Sequence, residues 1–285
     1  MWKYIKEEPA CLSALISQTG IKEVAEHLKE QDRMLIVAHG SSYNAASSVA
    51  PLFEKAAGCS VVCTTPSRLK HNMDPQQMKN AFCIAISQTG NSRGVLEAVE
   101  QIKETGMPTI AVTEREGLML DQVCDQSLYL QCGPEDSNAK TKGYSSTLVL
   151  LMLLCMELAV VKGKMSKEQH ERNLSSLQEE IRQLDPVVQQ TIRYCQDNDF
   201  GKGMEEIYFL GDGLQFGTAM EGQLKLMETL CVPTMFNDLV EFSHGMHRAM
   251  REKSQVVIID DGTERELAEK SVQYLKGIHT PVFHI

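Results

Sequence analysis

Four absences narrow the reading of this sequence before any motif is considered. No apolar run reaches the roughly 18–20 residues that would span a bilayer; the longest candidate, residues 148–161, is interrupted by Glu157. The N-terminus, Met-Trp-Lys-Tyr-Ile-Lys-Glu-Glu-Pro, carries charges where the apolar segment of a signal peptide would sit. A cytoplasmic protein without a membrane partner is therefore expected. No CxxC pair occurs among the nine cysteines. They are odd in number, scattered from Cys11 to Cys231, and read as reduced core residues, Cys59 and Cys63 included, so neither disulfides nor a metal site is expected. Basic charge is also in short supply. With 28 Lys and Arg against 38 Asp and Glu, the formal net charge is −10, which disfavours a nucleic-acid footprint.

What is present fits a globular chain. Its 285 residues, 42% hydrophobic and 23% charged, suffice for two domains that each bury a core. Strand-like runs at 34–38, 59–64, 81–86, 108–113 and 126–129 alternate with helical patterns at 44–57, 93–105 and 143–162. Strands alternating with helices imply a mostly parallel sheet covered on both faces. Between 166 and 200 the chain turns polar, with Leu174, Leu177, Ile181, Leu184 and Val188 at helical spacing; this reads as a helical linker. The pattern restarts with strands at 206–210, 232–236, 255–259 and 281–285 and helices at 217–230 and 264–277. The expected organisation is a leader helix and first α/β domain over 1–165, the linker over 166–200, and a shorter second domain over 201–285. The last strand, Pro281 to Ile285, lacks the covering helix a parallel sheet normally continues with, so a C-terminal tail is expected to be missing.

Two turns carry the strongest chemical signal. His39-Gly40-Ser41-Ser42 and Ser87-Gln88-Thr89-Gly90-Asn91-Ser92 each follow a predicted strand and open a helix. Open α/β sheets bind ligands outside such strand ends. Glycine lets the backbone approach an anion, while hydroxyls and unpaired helix N–H groups donate to it. The competing reading is that these hydroxyls merely cap helices. Further along, Glu221, Lys225 and Glu228 fall at i, i+4 and i+7 on one helical face, either a solvated charge group or a carboxylate able to move a proton with a lysine holding it ionised. His244 is a candidate for proton transfer by residue type, but with His247 three residues on it also fits a surface pair. No acidic or cysteine partner completes a metal set.

The runs Gly40-Ser41-Ser42-Tyr43-Asn44-Ala45, Ile86 to Ser92, and Thr141-Lys142-Gly143-Tyr144 resemble the first sugar isomerase (SIS) domain of glucosamine-fructose-6-phosphate aminotransferase. Phe209 to Gly213, Glu221 to Glu228, and Glu241-Phe242-Ser243-His244-Gly245 resemble its second. The likeness covers nearly the whole chain. It implies two tandem flavodoxin-like three-layer α/β/α SIS domains with parallel sheets, binding a small-molecule sugar phosphate without a cofactor. By resemblance, Gly40, Ser41, Ser42, Ser87, Gln88, Thr89, Ser92, Lys142 and Glu241 form the substrate site. Glu228 takes the place of the proton-transferring carboxylate, Lys225 of its neighbouring lysine, and His244 of the ring-opening histidine that reaches the partner subunit's pocket, which implies a homodimer. The sequence departs from that pattern in several places. His39 stands where relatives often have cysteine, and Met246 follows Gly245 where proline is usual. No glutaminase segment precedes the first domain, so glutamine amidotransfer is not expected of this chain, and the family's lysine near the extreme C-terminus has no counterpart before Ile285. An isomerase or deglycase acting on an amino-sugar phosphate or fructosamine phosphate is expected; the alternative is a sensor that binds the same ligand without converting it.

Overall fold

Each strand-like run of the first half becomes a strand of one parallel sheet. The computed structural model describes residues 1–285, which divide into two units, Met1–Pro186 and Val187–Ile285. Unit 1 opens with α1 (Trp2–Ile16) and α2 (Ile21–His27). It then alternates β1 (Arg33–Val37), α3 (Gly40–Leu52), β2 (Ser60–Thr64), α4 (Pro66–Asn72), β3 (Ala81–Ile86), α5 (Arg93–Lys103), β4 (Thr109–Thr113), α6 (Met119–Val123) and β5 (Gln126–Tyr129), closing with α7 (Lys142–Val161) and α8 (Lys167–Arg182). A π-helical turn, Phe53–Ala57, ends α3. The strand order is β2-β1-β3-β4-β5 and every pairing is parallel. β3 and β4 are buried along their whole length, as strands covered on both faces must be.

The period-two alternation of side chains sorts the layers. Met34, Ile36, Phe82, Ile84 and Val112 face α1, α2, α3 and α7. Leu35, Val37 and Cys83 face Leu69 of α4 and Ala98 and Ile102 of α5. α7 corrects the expectation that no segment is long and apolar enough to cross a membrane: its 20 residues pass by length and composition. In this fold it is the central helix of the unit, with Leu150, Leu151, Leu154 and Leu158 buried among α1, α2 and α3. Truncating Leu154 to alanine there is expected to cost about 2–5 kcal/mol through lost transfer energy and a residual cavity.

Unit 2 contains most of α9 (Leu184–Asp197), then β6 (Glu206–Gly211), α10 (Gln215–Leu230), β7 (Thr234–Asn237), α11 (Leu239–Ser243), β8 (Ser254–Ile259), α12 (Arg265–Gly277) and β9 (Val282–His284). Its parallel sheet runs β7-β6-β8-β9, the same order as the first four positions of unit 1. Tyr208, Leu210, Val256 and Ile258 pack with Leu239, Phe242, Ala268 and Leu275 on one face. Ile207, Phe209, Val257 and Phe283 pack with Ala219 and Leu226 on the other. The segment 166–200, read as one linker, is two helices, and the division between the units falls at Pro186, inside it.

Candidate functional site

The topology of unit 1 opens a crevice between β1 and β3. After β1 the chain crosses the sheet through α3, whose Ala46 and Val49 lie in the cluster shared with α7. After β3 it leaves on the opposite face through α5, whose Val95 and Val99 pack on Ala85 and Ala111. Adjacent parallel strands whose connections part to opposite faces form a switch point, where open α/β sheets receive ligands. The two loops singled out in the sequence, 39–42 and 87–92, are the ones that border it.

Their hydroxyls are not engaged as caps. Neither His39 nor Ser92, the N-cap residues of α3 and α5, makes a side-chain cap bond. The side chains of Ser41, Ser42, Ser87, Thr89 and Ser92 hold no hydrogen bond within the chain. The first N–H groups of both helices also lack intrahelical acceptors. Ser87 is buried, and its backbone is fixed by its N–H donating to Val112 O at 3.0 Å and its carbonyl accepting from Gly90 N at 2.9 Å. Gly90 has φ 67°, and a Cβ there would lie 2.5 Å from Leu118 Cβ, so the turn requires glycine. A rigid backbone presenting free hydroxyls and helix N-termini suits an oxyanion.

Gln88 is positioned from the far side of the loop. Its Nε2 donates to Cys132 Sγ at 3.4 Å, and its carboxamide lies against Gly143, where a Cβ would meet Oε1 at 2.3 Å. The start of α7 that Gly143 belongs to is held by Glu135, whose carboxylate accepts from Thr141 N at 2.5 Å and Gly143 N at 3.2 Å. A buried carboxylate at a helix N-terminus pairs with the positive end of the helix dipole. Lys142 is 4% exposed and its Nζ donates to Glu7 Oε2 at 2.7 Å, above the ring of Tyr4. Burial opposes its charge, but Glu7 prevails and holds its pKa above the usual lysine value. The lysine expected at the substrate is thus committed to the leader helix. Glu7 and Glu135 were missed in the sequence because nothing local marks them: Glu7 lies 135 residues from its partner. Burial pushes the neighbouring Cys132 thiol up to about 11, so it is protonated at neutral pH. Beside the loop, a cleft of about 320 Å³ runs past Gln88, Thr89 and Asn91 to Arg115 and Lys140.

Unit 2 holds the other candidates. Lys225 Nζ stands 3.3 Å from Glu221 Oε1 and 2.7 Å from Glu228 Oε2 on α10. The group is not a freely solvated surface pair: the side chains of Glu221, Lys225 and Glu228 are 7%, 19% and 31% exposed. His244 is exposed at the C-terminus of α11. Glu241 is exposed in the same helix, and its N–H donates to the capping Asp238 at 2.7 Å. His247 does not pair with His244; its Nδ1 meets Phe242 O at 3.2 Å and its ring packs edge-on to Tyr274. No group of His, Cys, Asp and Glu is arranged to hold a metal.

The class the structure defines is a parallel α/β fold with a hydroxyl-lined switch point. The SIS domain family model matches residues 27–157, which include both loops. The chain resembles the C-terminal, isomerase half of glutamine–fructose-6-phosphate aminotransferase. It is 31% identical over 261 residues to that enzyme of Methanosarcina mazei, covering 89% of this chain and 40% of the relative. The chain spans less than half the length of the curated relatives it matches, 44% for the enzyme of Thermococcus kodakarensis. In fold it matches the C-terminal domain of glucosamine-fructose-6-phosphate aminotransferase from Francisella tularensis, with TM-score 0.92, 21% identity, and 99% and 82% of the two chains covered. Glucosamine-6-phosphate deaminase from Thermotoga maritima superposes with TM-score 0.85 at 21% identity, covering 100% and 84%.

Proposed function

We propose that the chain is a phosphosugar-converting enzyme of two tandem SIS domains, an isomerase or deglycase acting on an amino-sugar phosphate or fructosamine phosphate. The observation that carries this reading is the ring of unengaged hydroxyls, Ser41, Ser42, Ser87, Thr89 and Ser92, at the switch point of the segment that the SIS domain family matches. The strand order of unit 2, which repeats that of unit 1, supports counting it as the second domain. Phosphate binding is assigned to the unit 1 loops and proton transfer to Glu228. In such a reaction a carboxylate removes the proton from C1 of the ketosamine and returns it to C2. The resulting imine takes up water and releases the aldose phosphate and the amine. Lys225 Nζ lies 2.7 Å from Glu228 Oε2 and would orient that carboxylate. His244 is assigned to ring opening in the partner subunit of a homodimer.

The test is thermal denaturation against phosphosugars, amino-sugar phosphates and fructosamine phosphates. A ligand at 100 times its Kd stabilises the fold by about 2.7 kcal/mol. A shift confined to one class and lost in Ser87→Ala supports the site; no shift with any phosphosugar sinks it. Turnover of the stabilising ligand, lost in Glu228→Gln, supports an enzyme. Binding with no product by the wild-type chain would instead make it a sensor.

A further inference from the structure

A cleft of about 520 Å³ lies between α4 and α5 rather than over the hydroxyl-lined loops. It exists because α5 presents small residues to α4. Gly94 and Ala98 form its floor, one helical turn apart, and a Cβ on Gly94 would come 3.1 Å from His39 Nε2 and 3.3 Å from Pro66 Cβ. Its lining is largely apolar, with polar side chains at its solvent-facing rim. His39, Ser67, Lys70, His71 and Gln101 converge on the cleft, and none of these side chains makes a hydrogen bond or ion pair within the chain. The single carboxylate lining it, Glu97, is already taken by Arg93 Nε at 2.7 Å. In a chain of net charge −10, this leaves a pocket of one ammonium, two imidazoles, a hydroxyl and a carboxamide with no free counter-charge. Such a donor set selects an oxyanion, and lysine serves phosphate as a point charge. The volume admits a small organic molecule and not only a bare ion.

We propose that the α4/α5 cleft is a second phosphate site, taking the phosphate group of a small molecule through Lys70 and His71 independently of the β1/β3 crevice. His39 is the shared wall: its ring borders the cleft and its backbone is the N-cap of α3. Occupancy of the cleft therefore fixes the residue that leads into loop 39–42, and any effect on phosphosugar affinity must be reciprocal.

The experiment is calorimetric titration of the full chain with inorganic phosphate, alone and with fructose 6-phosphate present in excess. Phosphate binding is expected to persist under fructose 6-phosphate. With the crevice filled by fructose 6-phosphate, the remaining phosphate binding should weaken at least tenfold in Lys70→Gln/His71→Gln. Ala98→Leu, which fills the floor without altering charge, should weaken it to a similar degree, with a circular dichroism melt to verify folding. Phosphate binding abolished by fructose 6-phosphate, left unchanged by the double substitution or by Ala98→Leu, or absent from the wild-type chain would overturn the proposal. If fructose 6-phosphate itself fails to bind, the proposed function is what fails, and the Lys70/His71 dependence still decides this site.

Discussion

At the carboxyl end of β1, unit 1 offers Gly40, Ser41 and Ser42; at the corresponding end of β6, unit 2 offers Asp212 between two glycines. The contrast continues along both sheets. After β3 come Ser87, Thr89 and Ser92, whereas β7 is followed by Asp238 and β8 by Asp260 and Asp261. The two sheets share a strand order, so topology alone provides a switch point in each. The loop side chains decide what each can hold: neutral donors accept a phosphate dianion, and clustered carboxylates repel it. Function resides in the loops grafted on the fold and not in the fold.

This comparison can be broken from either side. Glu228→Gln, in unit 2, is expected to lower turnover about 10²–10⁴-fold, the usual worth of a general base, while phosphosugar affinity measured by calorimetry changes less than about threefold. An equal loss of affinity would place Glu228 in ground-state binding instead. Ser42→Asp transfers the chemistry of unit 2 into unit 1. A carboxylate at the proposed phosphate position would cost several kcal/mol of like-charge repulsion, so affinity should fall about a hundredfold or more with little change in melting temperature. Retained affinity would remove loop 39–42 from the site. Gly143→Ala acts at one remove, since its Cβ would collide with Gln88 Oε1 at 2.3 Å. Displacing that carboxamide should weaken phosphosugar binding about tenfold, the value of one or two hydrogen bonds; binding unaffected by the substitution would show Gln88 to be a spacer.

Unit 1 was more legible in sequence than unit 2 for a physical reason. β3 occurs where its apolar run places it, at Ala81–Ile86, because a strand buried on both faces leaves a continuous apolar signal. β7 begins two residues later than its run, at Thr234, since a strand only partly buried leaves a weaker pattern. α4 went unread although Thr65-Pro66 is a local start signal: Thr65 accepts from Arg68 N and Pro66 takes the first helical position, where its missing N–H costs nothing. The site divides along the same line. The hydroxyl loops carry a motif and could be read, whereas the Glu135 cap spans six and eight residues across an irregular loop and the Glu7–Lys142 pair joins residues 135 apart, and neither could.

Asp212 provides the smallest and most discriminating test of the contrast between the units. Burial pushes its carboxyl pKa up, and Asp238, Glu264 and Asp261 push it further, against a backbone bond from Leu239; its Oδ2 is buried without a partner. Because the folded value lies above the unfolded one of about 3.9, the folded state binds more protons between the two. Stability is then lost as pH rises through that window, and the cost is fully present above it. Asp212→Asn keeps an oxygen for the Leu239 N–H and removes the charge. It is therefore expected to raise the melting temperature at pH 7.5 by about 1–2 °C, a modest effect at a partly open site, with the gain vanishing near pH 3.5. An equal gain at both pH values would trace the effect to packing, and a loss at pH 7.5 would mean that the carboxylates of unit 2 are held by a compensating positive charge, so that its switch point is not closed to anions.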